Sequence, residues 1–69
     1  MKATTTTGRQ YLATAERHQR AASEARRAGD STTAHREHSL ARRFRRNAHR
    51  VEEAAATRAA EAAMREALT

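Results

Sequence analysis

Cysteine and proline are absent from this sequence of 69 residues, and glycine occurs only twice. Without cysteine the chain has neither a disulfide framework nor thiol chemistry. The lack of proline and the scarcity of glycine favour a nearly all-helical chain. No apolar run approaches the roughly 18 residues that span a bilayer, and the first residues, MKATTTTG, lack the apolar core of a signal peptide. We therefore expect an all-α protein located in the cytoplasm, with no membrane partner.

Bulky apolar side chains are also scarce, since 18 of the 26 hydrophobic residues are alanine. Burying so few large side chains gains little against the conformational entropy that is lost when the chain becomes ordered. A lone monomer is therefore expected to be weakly stable and to complete its packing on another protein or on a second copy. Apart from Met1, the large apolar residues are Tyr11, Leu12, Leu40, Phe44, Val51, Met64 and Leu68.

The first predicted helix covers about residues 8–28. Thr7 precedes it and has Gln10 three residues later, which is the spacing of a capping box. Gly29 suits the position that closes a helix in the left-handed conformation. Apolar positions recur at steps of four and three residues and form one stripe of a helix; they are Tyr11, Ala15, His18, Ala22 and Ala25.

A second helix is predicted over about residues 32–68, because no glycine, proline or turn cluster interrupts that segment. Asp30 or Ser31 supplies its N-cap, so the turn covers residues 29–31. A connection this short favours an antiparallel helical hairpin with a long Ala-rich second helix, in which positions whose numbers sum to about 60 face each other. The residues predicted to hold the hairpin together are Tyr11, Ala15, Ala22, Ala41, Phe44, Ala48 and Val51, with Gly29 and Asp30 in the turn.

The predicted domain covers residues 7–69, after a disordered tail over residues 1–6. Because the second helix is longer than the first, residues 53–69 have no predicted partner within the chain. Met64 and Leu68 also lie on the face opposite Phe44, at about 100° per residue. Such a segment is typical of a self-association or docking element. The alternative is a three-helix bundle, in which the last segment folds back, although VEEAAATRA contains no break signal.

The Gly-Asp turn raises the question of a DNA-binding helix-turn-helix. That motif needs apolar residues just after the turn glycine and again about six and nine positions beyond it, where this chain has Asp30, His35 and His38. The stretch instead resembles the helical hairpin of a tetratricopeptide unit, which implies two closely crossing helices. No second copy of the unit follows about 34 residues later. The matching positions are Ala22, Gly29, Asp30, Ala34 and Ala41, with the bulky Phe44 after them.

Basic residues outnumber acidic ones by 14 to 8, and 13 of the 14 are arginine. This bias is typical of a GC-rich bacterial or phage genome, and it also suits forked, bidentate contacts with carboxylate or phosphate. The densest group, in ARRFRRNAHR, is either a solvated outer face or an anion-binding surface. The residues that we expect to contact an anionic partner are Arg42, Arg43, Arg46 and Arg50, and the apolar part of the interface is expected at Ala60, Met64 and Leu68.

No catalytic or cofactor motif accompanies these features. Ser23, Ser31 and Ser39 lack the motif that surrounds a nucleophilic serine, and no carboxylate pair falls in a predicted cleft. His35 and His38 have a spacing that metal ligands can use, but neither cysteine nor paired aspartate supports them. We therefore expect no enzyme activity, no cofactor, no metal and no small-molecule substrate.

The sequence thus predicts a small non-enzymatic helical module for protein–protein interaction or regulation, of the inhibitor or adaptor type. Its expected partner is a protein with an acidic surface, a second copy of the chain, or both. The alternative is nonspecific nucleic-acid binding, in which the same arginines contact duplex phosphates. Because no aromatic residue is interleaved with these arginines, stacking on single strands is not expected.

Overall fold

The computed structural model describes residues 6–69, and within that range the chain forms two α-helices and no strands. Helix α1 is Gly8–Arg27 and helix α2 is Ser31–Leu68. The prediction of an all-α chain is therefore confirmed. Neither helix contains an apolar stretch long enough to cross a membrane. The disordered tail predicted over residues 1–6 lies, except for its last residue, outside the described residues.

Helix α1 begins where its sequence supplies both halves of a capping box. The hydroxyl of Thr7 accepts a hydrogen bond from the backbone N–H of Gln10 at 3.2 Å, and the backbone N–H of Thr7 donates to Oε1 of Gln10 at 2.7 Å. The hydroxyl thereby satisfies an amide of the first turn, which has no partner within the helix. The capping box predicted from the spacing of these two residues is confirmed.

The connection between the helices is three residues long and is closed by backbone hydrogen bonds. Gly29 has a φ of +78°, in the left-handed region that glycine adopts without a steric penalty. The N–H groups of Gly29 and Asp30 donate to the carbonyls of Arg26 and Ala25, at 3.1 and 2.8 Å, which is the pattern of a Schellman motif. The carboxylate of Asp30 then accepts from the backbone N–H of Thr33 at 3.1 Å. One helix therefore ends and the next begins within a single turn.

Helices α1 and α2 contact each other along an interface that we call the seam. At one end, a Cβ atom added to Gly8 would lie 3.1 Å from Cγ of Glu52 and 3.5 Å from the carbonyl oxygen of Ala48. Further along, the rings of Tyr11 and Phe44 have centroids 6.1 Å apart. The absence of a side chain at Gly8 therefore lets the start of α1 lie close to α2.

His18 continues the seam toward the connection. Its ring stacks on that of Phe44, with centroids 5.5 Å apart and an interplanar angle of 10°. Its Nδ1 lies 2.5 Å from Oε2 of Glu37. Phe44 is thus flanked by the rings of Tyr11 and His18. The partners of α1 residues in α2 move toward lower numbers as the α1 residue numbers rise.

The buried residues of the seam are all small and recur at every seventh position. Seven residues make about two helical turns, so each set forms a row along one side of its helix. Because the distance between packed helices depends on the side chains at the contact, glycine and alanine allow a close approach. The buried residues are Gly8, Ala15 and Ala22 in α1 and Ala34, Ala41 and Ala48 in α2.

Helix α2 continues without a break past the end of the seam, so the alternative of a three-helix bundle is wrong. The segment that would have to turn, residues 51–59, contains neither glycine nor proline and is rich in alanine. Alanine has the highest helix propensity of all residues, so the backbone of this segment favours continuation. From residue 52 onward every residue is exposed.

Candidate protein-binding face

The arginine cluster, which comprises Arg42, Arg43, Arg46 and Arg50, lies on the side of α2 that points away from α1. At about 100° per residue, Arg46 is almost opposite Ala48, which is 2% exposed in the seam. All four arginines are exposed. We call this side of α2 the outer face. The amphipathic character of α2 thus keeps alanine in the seam and directs the arginines to solvent.

The guanidinium groups of the arginine cluster have no carboxylate partner among residues 6–69. In that range, the two contacts between a basic side chain and a carboxylate at salt-bridge distance both use histidine. They are His18 with Glu37 and His49 with Glu53. The N–H groups of the cluster therefore remain available for a carboxylate or phosphate outside the chain, and the fork of a guanidinium can bind either in bidentate fashion.

The apolar strip, which comprises Ala60, Met64 and Leu68, lies on the same outer face. Each member follows an arginine of the cluster by 18 positions, which is about five turns at 3.6 residues per turn. Because α2 is unbroken, the two sets are in line along one side of a single helix. Met64 is 65% exposed and Leu68 is 85% exposed. The aligned pairs are Arg42 with Ala60, Arg46 with Met64, and Arg50 with Leu68.

The apolar strip belongs to the overhang, residues 53–69, which is the part of α2 beyond the seam. Helix α1 begins at Gly8, beside Ala48 and Glu52, and the helical part of the overhang extends about 24 Å further at a rise of about 1.5 Å per residue. The seam side continues there with Ala55 and Ala62, next to Arg58 and Arg65. The large apolar residues of α2 therefore change sides at the end of the seam, from the side facing α1 to the outer face.

A shallow groove, open to solvent, lies at the end of the arginine cluster that is nearer to the apolar strip. It is lined by Arg45, Arg46, His49, Arg50 and Glu53. Within it, Nε2 of His49 lies 2.9 Å from Oε1 of Glu53, one turn later on the helix. Both side chains are well exposed, so this pair contributes little to stability. An open basic groove of this kind suits the surface of another macromolecule.

The residues predicted to form the hairpin core lie in or beside the seam, far from the apolar strip. Four of them, Ala15, Ala22, Ala41 and Ala48, are buried. The other three are half-buried: Tyr11, Phe44 and Val51. Gly29 and Asp30, predicted for the turn, lie in the connection between the helices.

Two seam residues were missed by the sequence reasoning. Gly8 is buried, and its spacing of seven residues from Ala15 could have identified it. Glu37 contacts His18 across 19 positions of sequence, and no local pattern announces that pairing. A third seam-side group, His38, has a buried Nδ1 with no hydrogen-bond partner within the described residues.

The histidines do not assemble into a metal centre in the part of the chain that the structure describes. Residues 6–69 contain no group of three or more histidine, aspartate or glutamate side chains placed to hold an ion. The chemistry that the outer face offers is instead a set of free guanidinium donors followed by an exposed apolar strip. No protein family model, curated protein or solved structure matches the chain.

Proposed function

We propose that the chain is a non-enzymatic protein-binding module, in which an antiparallel helical hairpin presents the outer face of α2 to an acidic protein surface. The observation that carries this proposal is the alignment of the arginine cluster and the apolar strip on one side of a continuous helix. Protein interfaces characteristically combine apolar anchors with charged groups that provide complementarity.

The hairpin arrangement is supported by the order of the contacts in the seam. Gly8 lies beside Glu52, Tyr11 beside Phe44, and His18 beside Glu37. Contacts between rising positions in one helix and falling positions in the other are those expected of an antiparallel pair. The connection of three residues also favours this arrangement.

The arginine cluster supports an anionic partner. Each unpaired guanidinium can form charge-assisted hydrogen bonds, and two such bonds to one carboxylate are stronger than neutral ones. The net charge of +6 would also increase the rate at which an acidic partner associates, an effect that salt reduces. These arginines would determine which partner is recognised and how fast it binds.

The apolar strip supports a protein rather than a small ion as the partner. Met64 and Leu68 are among the three large hydrophobic residues that are exposed within the described range. Burying them against a partner removes apolar surface from water, which is worth about 25 cal/mol per Å². Methionine also adapts its shape to different surfaces.

The residues of the seam support a non-enzymatic role for the hairpin. Its buried positions are glycine and alanine, which carry no reactive group. A polar contact between the helices joins His18 to Glu37, and Phe44 stacks against the same imidazole. These side chains are used to join the helices.

Affinity capture from the native host with three full-length forms tests the proposed function. The first is the wild type, the second carries Arg42→Gln, Arg46→Gln and Arg50→Gln, and the third carries Met64→Gln and Leu68→Gln. A control triple variant replaces Arg9, Arg17 and Arg20, three exposed arginines of α1, with glutamine. We expect a protein that the wild type and the control retain and that both outer-face variants lose. If the outer-face variants and the control retain the same proteins, the proposal is wrong.

Nonspecific nucleic-acid binding is the second candidate, and the unpaired arginine cluster is the observation that favours it. Titration of a labelled DNA duplex at two salt concentrations tests it directly. Binding through phosphates falls steeply as salt rises, because condensed counterions are released. It would also be insensitive to Met64→Gln and Leu68→Gln. No binding at low salt would eliminate this candidate.

A further inference from the structure

We infer that the partner of the outer face presents a single amphipathic α-helix, with acidic residues opposite the arginine cluster and bulky apolar residues opposite the apolar strip. The inference depends on the proposed function and specifies its partner. It is drawn from the shape of the overhang, from the distribution of charge along α2, and from the kind of packing already present in the seam.

The shape of the outer face is that of a narrow rod. From Arg42 to Leu68 it covers 26 positions, which is about 39 Å at a rise of about 1.5 Å per residue. The overhang lies beyond the contact of Gly8 with Glu52, so no second helix of the described chain widens this surface there. A second helix laid alongside α2 can contact such a rod over its whole length. It can also interlock its side chains with those of α2, and so bury more surface than a flat partner would.

Alanine is the commonest residue of the overhang, at 8 of 17 positions, which allows another helix to approach closely and requires that helix to supply the larger side chains. The seam shows the same division of roles: buried Ala15 and Ala41 accompany the half-buried rings of Tyr11 and Phe44. In the overhang, only Met64 and Leu68 are large and apolar. The partner helix must therefore contribute leucine, isoleucine or aromatic residues at helical spacing.

The charges of the outer face require acidic residues in the other half of the partner helix. The arginine cluster has no carboxylate partner among residues 6–69. Glu53, which lies between the cluster and the apolar strip, is already in contact with His49. Covering the cluster with a neutral apolar surface would desolvate four cations without compensation, which is unfavourable. Aspartate or glutamate at these positions would supply the missing bidentate contacts.

A second copy of the chain fits this face poorly. If two apolar strips pair with each other, the contact is confined to the short overhangs and the arginine clusters remain unpaired. If the register shifts so that the clusters are covered, four arginines meet at most two carboxylates of the other copy, Glu53 and Glu61, and Glu53 already contacts His49. Like charges placed opposite each other disfavour such an interface.

Two synthetic peptides of 28 residues and identical composition provide the test. Both are amphipathic helices; in the segregated peptide the leucines occupy one half and the glutamates the other, and in the mixed peptide the same leucines and glutamates alternate through both halves. Binding to the full chain is measured by fluorescence anisotropy at about physiological ionic strength, where the Debye length is about 8 Å. We expect the segregated peptide to bind at least about tenfold more tightly than the mixed peptide, because only the segregated peptide matches charge and apolar surface together, in whichever direction it lies along α2.

Full-length variants assign that binding to the outer face. The affinity for the tighter-binding peptide should fall by about tenfold or more in each of two variants. One replaces Arg42, Arg46 and Arg50 with glutamine, and the other replaces Met64 and Leu68 with glutamine. The control with Arg9, Arg17 and Arg20 replaced by glutamine should retain its affinity within about twofold, since those residues lie on α1. Circular dichroism should show the same helix content in all forms, because every substituted residue is exposed.

Several outcomes would overturn the inference. It fails if neither peptide binds, if the segregated and mixed peptides bind equally, or if Met64→Gln and Leu68→Gln leave the affinity for the segregated peptide unchanged. Tighter binding of a DNA duplex of about 20 base pairs, dependent on the arginines alone, would assign the face to nucleic acid. A dimer in sedimentation that both outer-face variants convert to monomer would assign it to a second copy. If the capture experiment succeeds while the peptides fail, the proposed function stands and only the helical partner is excluded.

Discussion

Replacing Ala22 with leucine is the most direct test of the close packing in the seam. Ala22 is completely buried and belongs to the row of small residues that recurs every seven positions in α1. An isobutyl group at this position has no space to occupy unless the two helices move apart. Such a movement would also loosen the contacts of His18 with Phe44 and Glu37, in the adjacent turn.

The size of the effect follows from the burial of the site. Overpacking a well-packed interior destabilises a protein by about 1–3 kcal/mol. The stability of a chain of this length, at about 0.05–0.15 kcal/mol per residue, is about 3–10 kcal/mol in total. A loss of about 1 kcal/mol lowers the melting temperature of a domain of this size by about 4–8 °C. We therefore expect Ala22→Leu to lower the melting temperature by about 5–20 °C.

The assay should report on the seam rather than on helix content alone, because the overhang contributes helical signal of its own. Tyr11 is the only tyrosine and its ring lies beside Phe44, so its fluorescence and near-ultraviolet dichroism monitor the seam during thermal and urea unfolding. The matched control is Ala59→Leu, at an exposed position of the overhang, which should leave the melting temperature within about 2 °C. If Ala22→Leu melts no lower than this control, small side chains in the seam are not required and the reasoning is refuted.

Three further predictions concern the connection and the polar contacts. Gly29→Ala should destabilise the chain by about 1 kcal/mol in urea unfolding, because a φ of +78° disfavours a Cβ atom, although no atom beyond the neighbouring residues lies within 4 Å of where it would be. Gly29→Asn should lower the free energy of unfolding by less. An alanine variant as stable as the wild type would contradict this. Hydrogen bonds from the side chain and the backbone N–H of Thr33 lower the pKa of Asp30 below its ordinary value of 3.8, so this carboxylate stabilises the fold above that pH. The contribution is lost as the pH falls through the lowered pKa. Asp30→Asn should therefore reduce the acid dependence of the melting temperature, and an unchanged pH profile would exclude this role. Glu37→Ala should lower the free energy of unfolding by about 1 kcal/mol, because it removes the partly buried contact with His18. Glu53→Ala removes an exposed contact with His49 and should lower it by about 0.5 kcal/mol or less. Equal losses in urea unfolding would show that burial does not distinguish the two pairs.

The ends of the helices were predictable from the sequence because they depend on residues a few positions apart. Thr7 with Gln10 forms the capping box, Gly29 has the left-handed conformation, and Asp30 caps α2. Each of these interactions is completed within one turn of chain. The hydrogen bonds therefore form wherever the side chains have the correct spacing, whatever the rest of the chain does.

The alignment of the arginine cluster with the apolar strip could also be predicted from the sequence, provided that α2 is continuous. The interval of 18 positions between Arg46 and Met64 places them on one face only if the helix between them is continuous. Sequence analysis kept a fold-back of the last segment as an alternative, and the unbroken α2 removed it. The high helix propensity of alanine favours this outcome, but propensity is a weak criterion because tertiary packing often overrides it.

The pairing of side chains across the seam required the tertiary structure. Facing positions whose numbers sum to about 60 would put Tyr11 opposite Ala48 and Val51, and the structure places its ring beside Phe44. It gave His18 no partner, and the structure places Glu37 there. Rows of alanine are smooth, so they fix the register of two helices less strongly than large interlocking side chains do. The register is then set by a few polar and aromatic contacts between residues far apart in sequence.

The sequence by itself therefore determined the helical class, the caps and the order of residues along each side of a helix, because these follow from local hydrogen bonding and from the period of the helix. The tertiary structure decided that α2 continues past α1 without folding back, and it decided the partners of Tyr11 and His18. These depend on how two helices are positioned against each other, and that position is the sum of many small contacts between distant parts of the chain.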